Sequence, residues 1–387
     1  MPCAEVSPLT PARPGGLAEV TADLADYFVR SGHDCRVLTP MHHGIDQSGL
    51  ETEEVPELQK LELQLGGRLF RYSIVRARLP GRPVWVYLLR CPELFDTPDL
   101  YAGPDEHLRF ILLGRGAIEM CQRQQFAPDI FHCHDWHASL VPVYLKSRYA
   151  WDQLFAHSRT VLTIHNIGYQ GIFGAGILYE MGLSGSPEML DQDDLNSDCV
   201  NFLKTGVLHA DLLTTVSPTY AREILNSEYG MGLEERLQAR QESLVGILNG
   251  VNYRQWNPEN DPWISHQYSA SRMSGKEQNK QALLEELGLG YEFDRPLLGM
   301  VTHLVYQSGI ELVQEVLPDL LQERMFSMVV SGEGEAHHER FFRWLGSKYP
   351  DRVSFHHGFD QPLTHRIEAG SDLFLMPSRY EPCGLHQ

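Results

Sequence analysis

Residues 129–135 read D-I-F-H-C-H-D, and residues 160–166 read T-V-L-T-I-H-N. Each stretch is a short apolar run that ends on a histidine followed by an acid or its amide. Similar runs end at Ser217 and Asn249, and amphipathic stretches separate them. This alternation predicts a parallel sheet with crossover helices. Because ligands of open α/β sheets bind beyond the carboxyl ends of the strands, we expect these polar ends to line one cleft.

A second series of apolar runs follows a stretch in which Trp, Asn and Pro interrupt the pattern. The sequence therefore predicts an N-terminal domain over 1–250, an interdomain connection over 251–275 and a second α/β domain over 276–387. Two such domains facing each other across a cleft suit a ligand with two ends, such as a nucleotide joined to a sugar. The strands of the second series are predicted at 297–302, 326–330, 352–356 and 372–376.

The composition excludes several classes of protein. The 387 residues carry 32 Lys and Arg against 51 Asp and Glu, a net charge of −19, which disfavours nucleic acids and anionic membranes as partners. No run approaches the ~18 apolar residues of a membrane span, and the first residues lack a signal-peptide pattern. The seven cysteines are scattered singly, as in a protein with reduced thiols. We therefore expect a cytoplasmic protein.

Two segments each leave a structural and a functional interpretation open. Residues 13–17, R-P-G-G-L, place two glycines before a predicted helix that ends at Gly32. The amides of such a loop bind anions, although a Gly-Gly turn is also a common tight connection. Residues 377–385 place Glu381 before a Gly-containing loop that could offer this carboxylate to a sugar. The same carboxylate could equally cap a helix at the surface.

Three imidazoles crowd into H-C-H-D-W-H at 132–137 and invite a metal site. The segment misses the H-x-H-x-D-H pattern of metallo-hydrolases, because Trp136 stands where the Asp is needed. A strand-end histidine that hydrogen-bonds a sugar hydroxyl is the better functional interpretation. We expect the pairs His42-His43, His337-His338 and His356-His357 to be surface or structural, because nothing nearby in the sequence completes a ligand set.

Six segments together resemble bacterial glycogen synthases and plant starch synthases over essentially the whole chain. The resemblance implies a GT-B fold of two Rossmann-like domains and a retaining glucosyltransferase. It also implies ADP-glucose as donor, the non-reducing end of an α-1,4-glucan as acceptor, and neither a metal nor a cofactor. For a plant homologue a plastid location is the alternative, although no transit-peptide pattern is seen. The segments are H-C-H-D-W-H at 132–137, T-I-H-N-I-G-Y-Q-G-I-F at 163–173, N-F-L-K-T-G at 201–206, T-V-S-P-T-Y-A-R-E-I at 215–224, I-L-N-G-V at 247–251 and M-P-S-R-Y-E-P-C-G-L at 376–385.

The resemblance also implies site residues. The catalytic candidates are His134, which would contact the sugar, and Glu381, which would lie near the donor glucose. In the front-face scheme usually given for such enzymes, the departing diphosphate takes the acceptor's proton, and the protein mainly neutralises that diphosphate. The residues expected to bind ADP-glucose are Arg13, Gly15, Gly16, Asn166, Asn249, His303, Ser308, Cys383, Gly384 and Leu385.

The chain departs from the family at those electrostatic positions. The family's Arg and Lys in the segment 301–309 are His303 and Ser308, and its Lys before the Gly-Gly loop is Arg13. A histidine is mostly neutral at pH 7 and serine carries no charge. Losing two preorganised cations of this kind slows transfer by about 10⁴-fold if the effects multiply. Arg13, Lys204 and Arg379 remain candidates to give the cleft a local positive charge.

Both ends of the chain look short against the family, so that the C-terminal domain is expected to be incomplete. Two hypotheses follow. One is a glycogen or starch synthase whose activity is impaired by the truncation and by His303 and Ser308. The alternative is a catalytically inactive relative of the same family that binds glucan or has a regulatory role.

Overall fold

Residues 1–9, 16–46, 49–97, 101, 103 and 105–386 are described in a computed structural model. They form two compact units, one built from residues 1–9, 16–249 and 382–386 and the other from residues 250–381. None of the helices within these described ranges is long and apolar enough to span a bilayer.

The first unit contains a mixed sheet, a parallel sheet and a two-stranded ribbon. The mixed sheet has the order β1-β5-β4-β2 with β3 paired to β4, the parallel sheet has the order β11-β10-β7-β6, and β8 pairs with β9. The strands are β1 (Arg36–Pro40), β2 (Glu53–Glu54), β3 (Leu61–Leu65), β4 (Arg68–Arg78), β5 (Trp85–Arg90), β6 (Ile130–His134), β7 (Arg159–Ile164), β8 (Ile172–Gly174), β9 (Cys199–Asn201), β10 (Leu212–Thr215) and β11 (Leu244–Gly246).

The helices of the first unit begin and end where local chemistry favours it. The first helix ends before Gly32, whose φ of 89° is a left-handed conformation that suits glycine. Ser217 is an N-cap whose hydroxyl accepts from the Tyr220 amide at 3.0 Å, with Pro218 in the first turn. The helices are α1 (Gly16–Arg30), α2 (His43–Asp46), α3 (Pro92–Phe95), α4 (Glu106–Arg123), α5 (Asp135–Ala138), α6 (Val141–Lys146), α7 (Leu178–Met181), α8 (Gln192–Asn196), α9 (Phe202–His209), α10 (Pro218–Glu223) and α11 (Glu234–Ala239).

The second unit is built on one parallel sheet of order β14-β13-β12-β15. Its central strands are buried along their length, as expected when helices cover both faces of a parallel sheet. The core on one face includes Met300, Val330 and Leu317. The strands are β12 (Leu297–Val301), β13 (Ser327–Gly332), β14 (Val353–His357) and β15 (Leu373–Phe374), and the helices are α12 (Ser274–Glu286), α13 (Ile310–Glu323), α14 (Ala336–Lys348) and α15 (Gln361–Gly370).

Candidate functional site

The neighbouring strands β6 and β7 bring two predicted strand ends together. His134 is the last residue of β6, and its Nδ1 lies 3.0 Å from Nε2 of His165, the residue after β7. Asp135 ties the same two ends, because its Oδ1 accepts a hydrogen bond of 2.7 Å from the His165 amide. The half-buried Asn166 follows directly. The parallel pairing of β6 and β7 therefore places the carboxyl end of β6 beside that of β7.

Burial keeps these imidazoles neutral. Removal from water lowers the pKa of His165 to about 3 and that of His132 to about 4. The pKa of His134 is held well below its usual value by burial and then by the neighbouring His132 and His165. The rings of His132 and His134 stack with centroids 4.3 Å apart. At neutral pH the group is therefore a set of uncharged donors and acceptors.

Two nitrogens of this group have no hydrogen-bond partner among the described residues. They are Nε2 of His134 and Nδ1 of His165, and both are buried. A buried polar atom without a partner costs about 1–3 kcal/mol. Since the bond between the two rings uses one nitrogen of each, one of the remaining nitrogens is a donor and the other an acceptor. A ligand with hydroxyl groups can donate to the acceptor nitrogen and accept from the donor nitrogen.

Asp135 adopts an unusual backbone conformation at this site. Its φ is 54°, a left-handed value that Asp and Asn tolerate better than most residues. Burial raises the pKa of its carboxyl to about 7, although the amides of His165 and Asn166 oppose this shift. The Glu5 carboxylate adds to the rise. Strained residues of this kind cluster at functional sites.

The imidazoles of segment 132–137 are engaged in separate contacts. His132 Nε2 lies 2.6 Å from Thr163 Oγ1, and the ring of His137 packs against Phe110 with centroids 4.7 Å apart. Trp136 is buried and packs against the same Phe110 at 4.6 Å. Within the described ranges, the group of metal-ligating side chains that converges is Glu335, His337 and His338. For His337-His338 the sequence predicts a surface or structural role; His337 is exposed and His338 is buried.

The first unit also brings three predicted donor-binding residues together. A Cβ placed on Gly16 would lie 3.5 Å from Leu385 Cδ1 and 3.7 Å from Asn249 Nδ2. The Asn249 amide bonds to the carbonyl of Val216 at 3.3 Å, which holds it at the end of β10. Cys383 and Gly384 precede Leu385 and are half-buried. The candidates Arg13 and Gly15 lie outside the described residues.

In the second unit, the loop 302–309 follows β12 and carries the predicted donor-binding residues His303 and Ser308. Ser308 is buried, and its hydroxyl accepts from Thr302 Oγ1 at 3.1 Å. The ring of His303 lies edge-on to Phe359 with centroids 4.8 Å apart. Gly309 has a φ of 68°, and a Cβ there would stand 2.1 Å from the Pro377 carbonyl oxygen. Only glycine allows this close approach between the loop and the segment that carries Glu381.

Glu381 and the candidate cations Arg379 and Lys204 differ in their surroundings. Glu381 is exposed and its Oε2 accepts from Ser378 Oγ at 3.2 Å. Arg379 lies in the same segment, with its guanidinium 4.2 Å from the centre of the Tyr306 ring. Lys204, in the first unit, is paired with Asp194 and with Asp191. The charge of Lys204 is therefore balanced within that unit, and Arg379, which lies against the loop 302–309, is itself 3.9 Å from Glu311 Oε2.

The sequence pattern of the starch synthase catalytic domain family matches residues 1–239. The glycogen synthase of Geotalea daltonii is 38% identical over 388 residues, covering 99% of this chain and 78% of that protein. Glycogen synthase 1 of Geobacter sulfurreducens is 39% identical over 384 residues, covering 97% and 75%. The chain belongs to the glycogen and starch synthase family.

A solved structure agrees with this assignment. The catalytic domain of starch synthase IV from Arabidopsis thaliana, bound to ADP and acarbose, superposes with a TM-score of 0.90 at 33% identity. The match covers 99% of this chain and 78% of that chain. It confirms the predicted GT-B fold, and the family confirms the predicted class of enzyme, a glycosyltransferase.

The strand pattern predicts that Asp135 and His165 line the cleft, but the resemblance does not place them among the site residues. Their roles depend on hydrogen bonds between strands, which residue identity alone does not specify. The signal was present, since each stands beside a predicted site residue at the end of a buried strand. In this synthase-family chain we count both among the candidate site residues.

Proposed function

We propose that this chain transfers glucose from ADP-glucose to the non-reducing end of an α-1,4-glucan with retention. Membership of the family supports the transfer, and the bound ADP and acarbose of the Arabidopsis structure support the two substrate classes. The observation that carries the proposal is the buried Nε2 of His134, which has no partner among the described residues. A sugar hydroxyl is the ligand that such a neutral nitrogen accommodates.

The proposed contacts divide between the two substrates. The acceptor glucan binds the first unit at His134 and His165, whereas ADP-glucose is bound by Asn166 of that unit and by the loop 302–309 and Glu381 of the second unit. Gly16, Asn249 and Leu385 contribute backbone and amide contacts to the donor. The location in a bacterial cytoplasm stays a prediction.

The reaction follows from these assignments. The bond between the anomeric carbon and the diphosphate oxygen breaks, and the acceptor 4-hydroxyl oxygen forms the new bond on the same face. The proton of that hydroxyl passes to the departing diphosphate, so that atoms and charge balance. His134 orients the sugar by a hydrogen bond, and Glu381 faces the positive charge that develops on the glucose ring.

A second candidate function rests on the loop 302–309. Ser308 is bonded to Thr302 and carries no charge, so this position offers no cation to a departing diphosphate. An inactive relative that binds glucan is the function this observation favours. The intact His134, Asn166, Asn249 and Glu381 favour the transferase.

The test is incorporation of radiolabelled glucose into glycogen by the purified chain, with ADP-, UDP- and GDP-glucose compared in parallel. We expect incorporation from ADP-glucose, and release of the label by β-amylase, which cleaves α-1,4 linkages and so reports retention. Glycogen co-sedimentation is measured on the same samples. Sedimentation without incorporation from any donor supports the glucan-binding relative and contradicts transfer.

A further inference from the structure

A cluster of nitrogen and carboxylate ligands lies at the carboxyl end of β13, apart from every residue given a role above. Glu335, His337 and His338 each place one ligand atom within 4.8 Å of the other two. Glu335 is the residue before α14, and both histidines lie in the first turn of that helix. The three ligands thus come from four consecutive residues at one end of a helix.

Gln314 determines which ring nitrogen of His338 is left to bind a metal. His338 is buried, and its Nδ1 lies 3.1 Å from Oε1 of Gln314 on α13. Because an amide oxygen only accepts, Nδ1 carries the proton and Nε2 keeps its lone pair. Histidines that bind metals usually donate their other N–H to an oxygen in this way. Gln314 therefore positions the His338 ring.

The other two ligands are free to adjust. The side chains of His337 and Glu335 are 54% and 50% exposed, and His337 Nδ1 lies 3.5 Å from Glu335 Oε2. Bonds of about 2.0–2.2 Å to zinc place ligand atoms roughly 3.3 Å apart in a tetrahedral site. Rotation of two exposed side chains covers the difference from 4.8 Å.

The nearby Glu339 is excluded as a ligand by its own contacts. Its Oε1 accepts from the Gly334 amide at 3.2 Å and lies 3.2 Å from His357 Nε2. The protein ligands therefore number three, two imidazoles and one carboxylate. Such a set selects Zn²⁺, Co²⁺ or Ni²⁺ over Mg²⁺ or Ca²⁺, which prefer oxygen ligands.

We propose that Glu335, His337 and His338 bind one divalent transition-metal ion, with zinc as the reference ion and water in the remaining position. The bound ion links Glu335, the residue before α14, to His337 and His338 in the first turn of that helix. This site is independent of the glucosyltransferase proposal, because it uses none of the residues assigned to either substrate.

The test uses the full chain without a histidine tag, freed of metal by a chelator. Zn²⁺ is titrated calorimetrically, and Co²⁺ is followed by its visible absorption, which reports the coordination geometry. The parent is compared with His337→Ala and Glu335→Ala, and the matched control is His157→Ala, which removes one exposed histidine from the first unit.

We expect one ion per chain, binding weakened at least tenfold by His337→Ala and by Glu335→Ala, and binding unchanged in His157→Ala. Gln314→Ala should weaken binding by about 10- to 100-fold, because it removes the partner that orients His338. Absence of binding to the parent contradicts the proposal, as does equal binding by the parent and His337→Ala. Neither readout is glucose transfer, so these outcomes leave the transferase proposal untouched.

Discussion

The strand ends of β6 and β7 differ from the loop 302–309 in the side chains that each offers to the proposed ligands. At the strand ends, the imidazoles of His134 and His165 are buried, and two of their nitrogens have no partner within the described chain. In the loop, Ser308, at the position where the resemblance implies a lysine, carries no charge and bonds to Thr302. Under the proposed function, the first region suits a neutral sugar, whereas Ser308 in the second region offers no charge to a departing diphosphate.

This difference teaches that acceptor recognition depends on hydrogen bonds, whereas stabilisation of the leaving group depends on charge. Neutral imidazoles retain their function when burial suppresses their charge, because hydrogen bonding to a hydroxyl needs no charge. A departing diphosphate needs fixed positive charge, which no uncharged side chain replaces. Sugar binding is therefore expected to persist in a chain whose transfer step is slow.

Restoring the loop should have the largest effect. The double change His303→Arg and Ser308→Lys returns both cations, and transfer from ADP-glucose should rise by up to about 10⁴-fold if the two contributions multiply. Initial rates of label incorporation measure it. Ser308→Ala is the control, since it removes the hydroxyl bond to Thr302 without adding charge. Transfer by the double variant no faster than by the parent would show that the loop does not limit catalysis.

The other side of the comparison is tested by His134→Ala in that restored background. Removal of Nε2 should slow transfer by about 10²- to 10³-fold, because the acceptor loses a preorganised hydrogen bond. His157→Ala, exposed and outside the site, should leave the rate unchanged. Circular dichroism checks that both variants fold. A rate within threefold of the restored parent would rule out a catalytic role for His134.

Packing behind the strand ends is tested by Gly171→Ala. Gly171 has a φ of 63°, and a Cβ there would stand 2.2 Å from Cε3 of the buried Trp136. We expect a loss of about 3 kcal/mol in the free energy of unfolding, measured with urea. Gly174→Ala is the matched control, because nothing lies within 4 Å of its Cβ position. Equal stabilities of the two variants would contradict this account of the packing.

Much of the fold was predictable because parallel strands are short apolar runs between helices. The apolar run within residues 129–135 is the strand Ile130–His134, and the one predicted at 297–302 is Leu297–Val301. The strands β2 to β5, which are joined by antiparallel pairing with β4, were not predicted. In β3, for example, buried leucines alternate with exposed polar residues, so no continuous apolar run marks the strand.

Only those site residues that stand at the ends of parallel strands were predictable from the strand pattern. The rule for parallel sheets placed His134 and His165 at one edge, and the register confirmed their proximity. It could not show that Asp135 turns back to the His165 amide, because this depends on a left-handed backbone at that one residue. Nor could it place Glu335 beside His337 and His338, since that requires the start of α14.

The smallest effect concerns pH, where Asp135 and the imidazoles act in opposite directions. The folded-state pKa values of His132 and His165 lie below the unfolded value, so stability falls as the pH drops from about 6.5 to about 3. The pKa of Asp135, about 7 in the folded state, lies above its unfolded value. Asp135 therefore costs stability as the pH rises from about 4 to about 7.

Asp135→Asn isolates the carboxylate, because asparagine keeps the acceptor for the His165 amide and tolerates the left-handed backbone. The variant's advantage over the parent in free energy of unfolding should grow with pH between 5 and 7, by at most about 1.4 kcal/mol per unit. Urea unfolding at pH 5, 6, 7 and 8 measures this advantage, with Asp319→Asn, on the exposed side of α13, as control. A pH-independent advantage would show that Asp135 is ionised throughout this range, and its carboxylate would then act as a fixed charge beside His165.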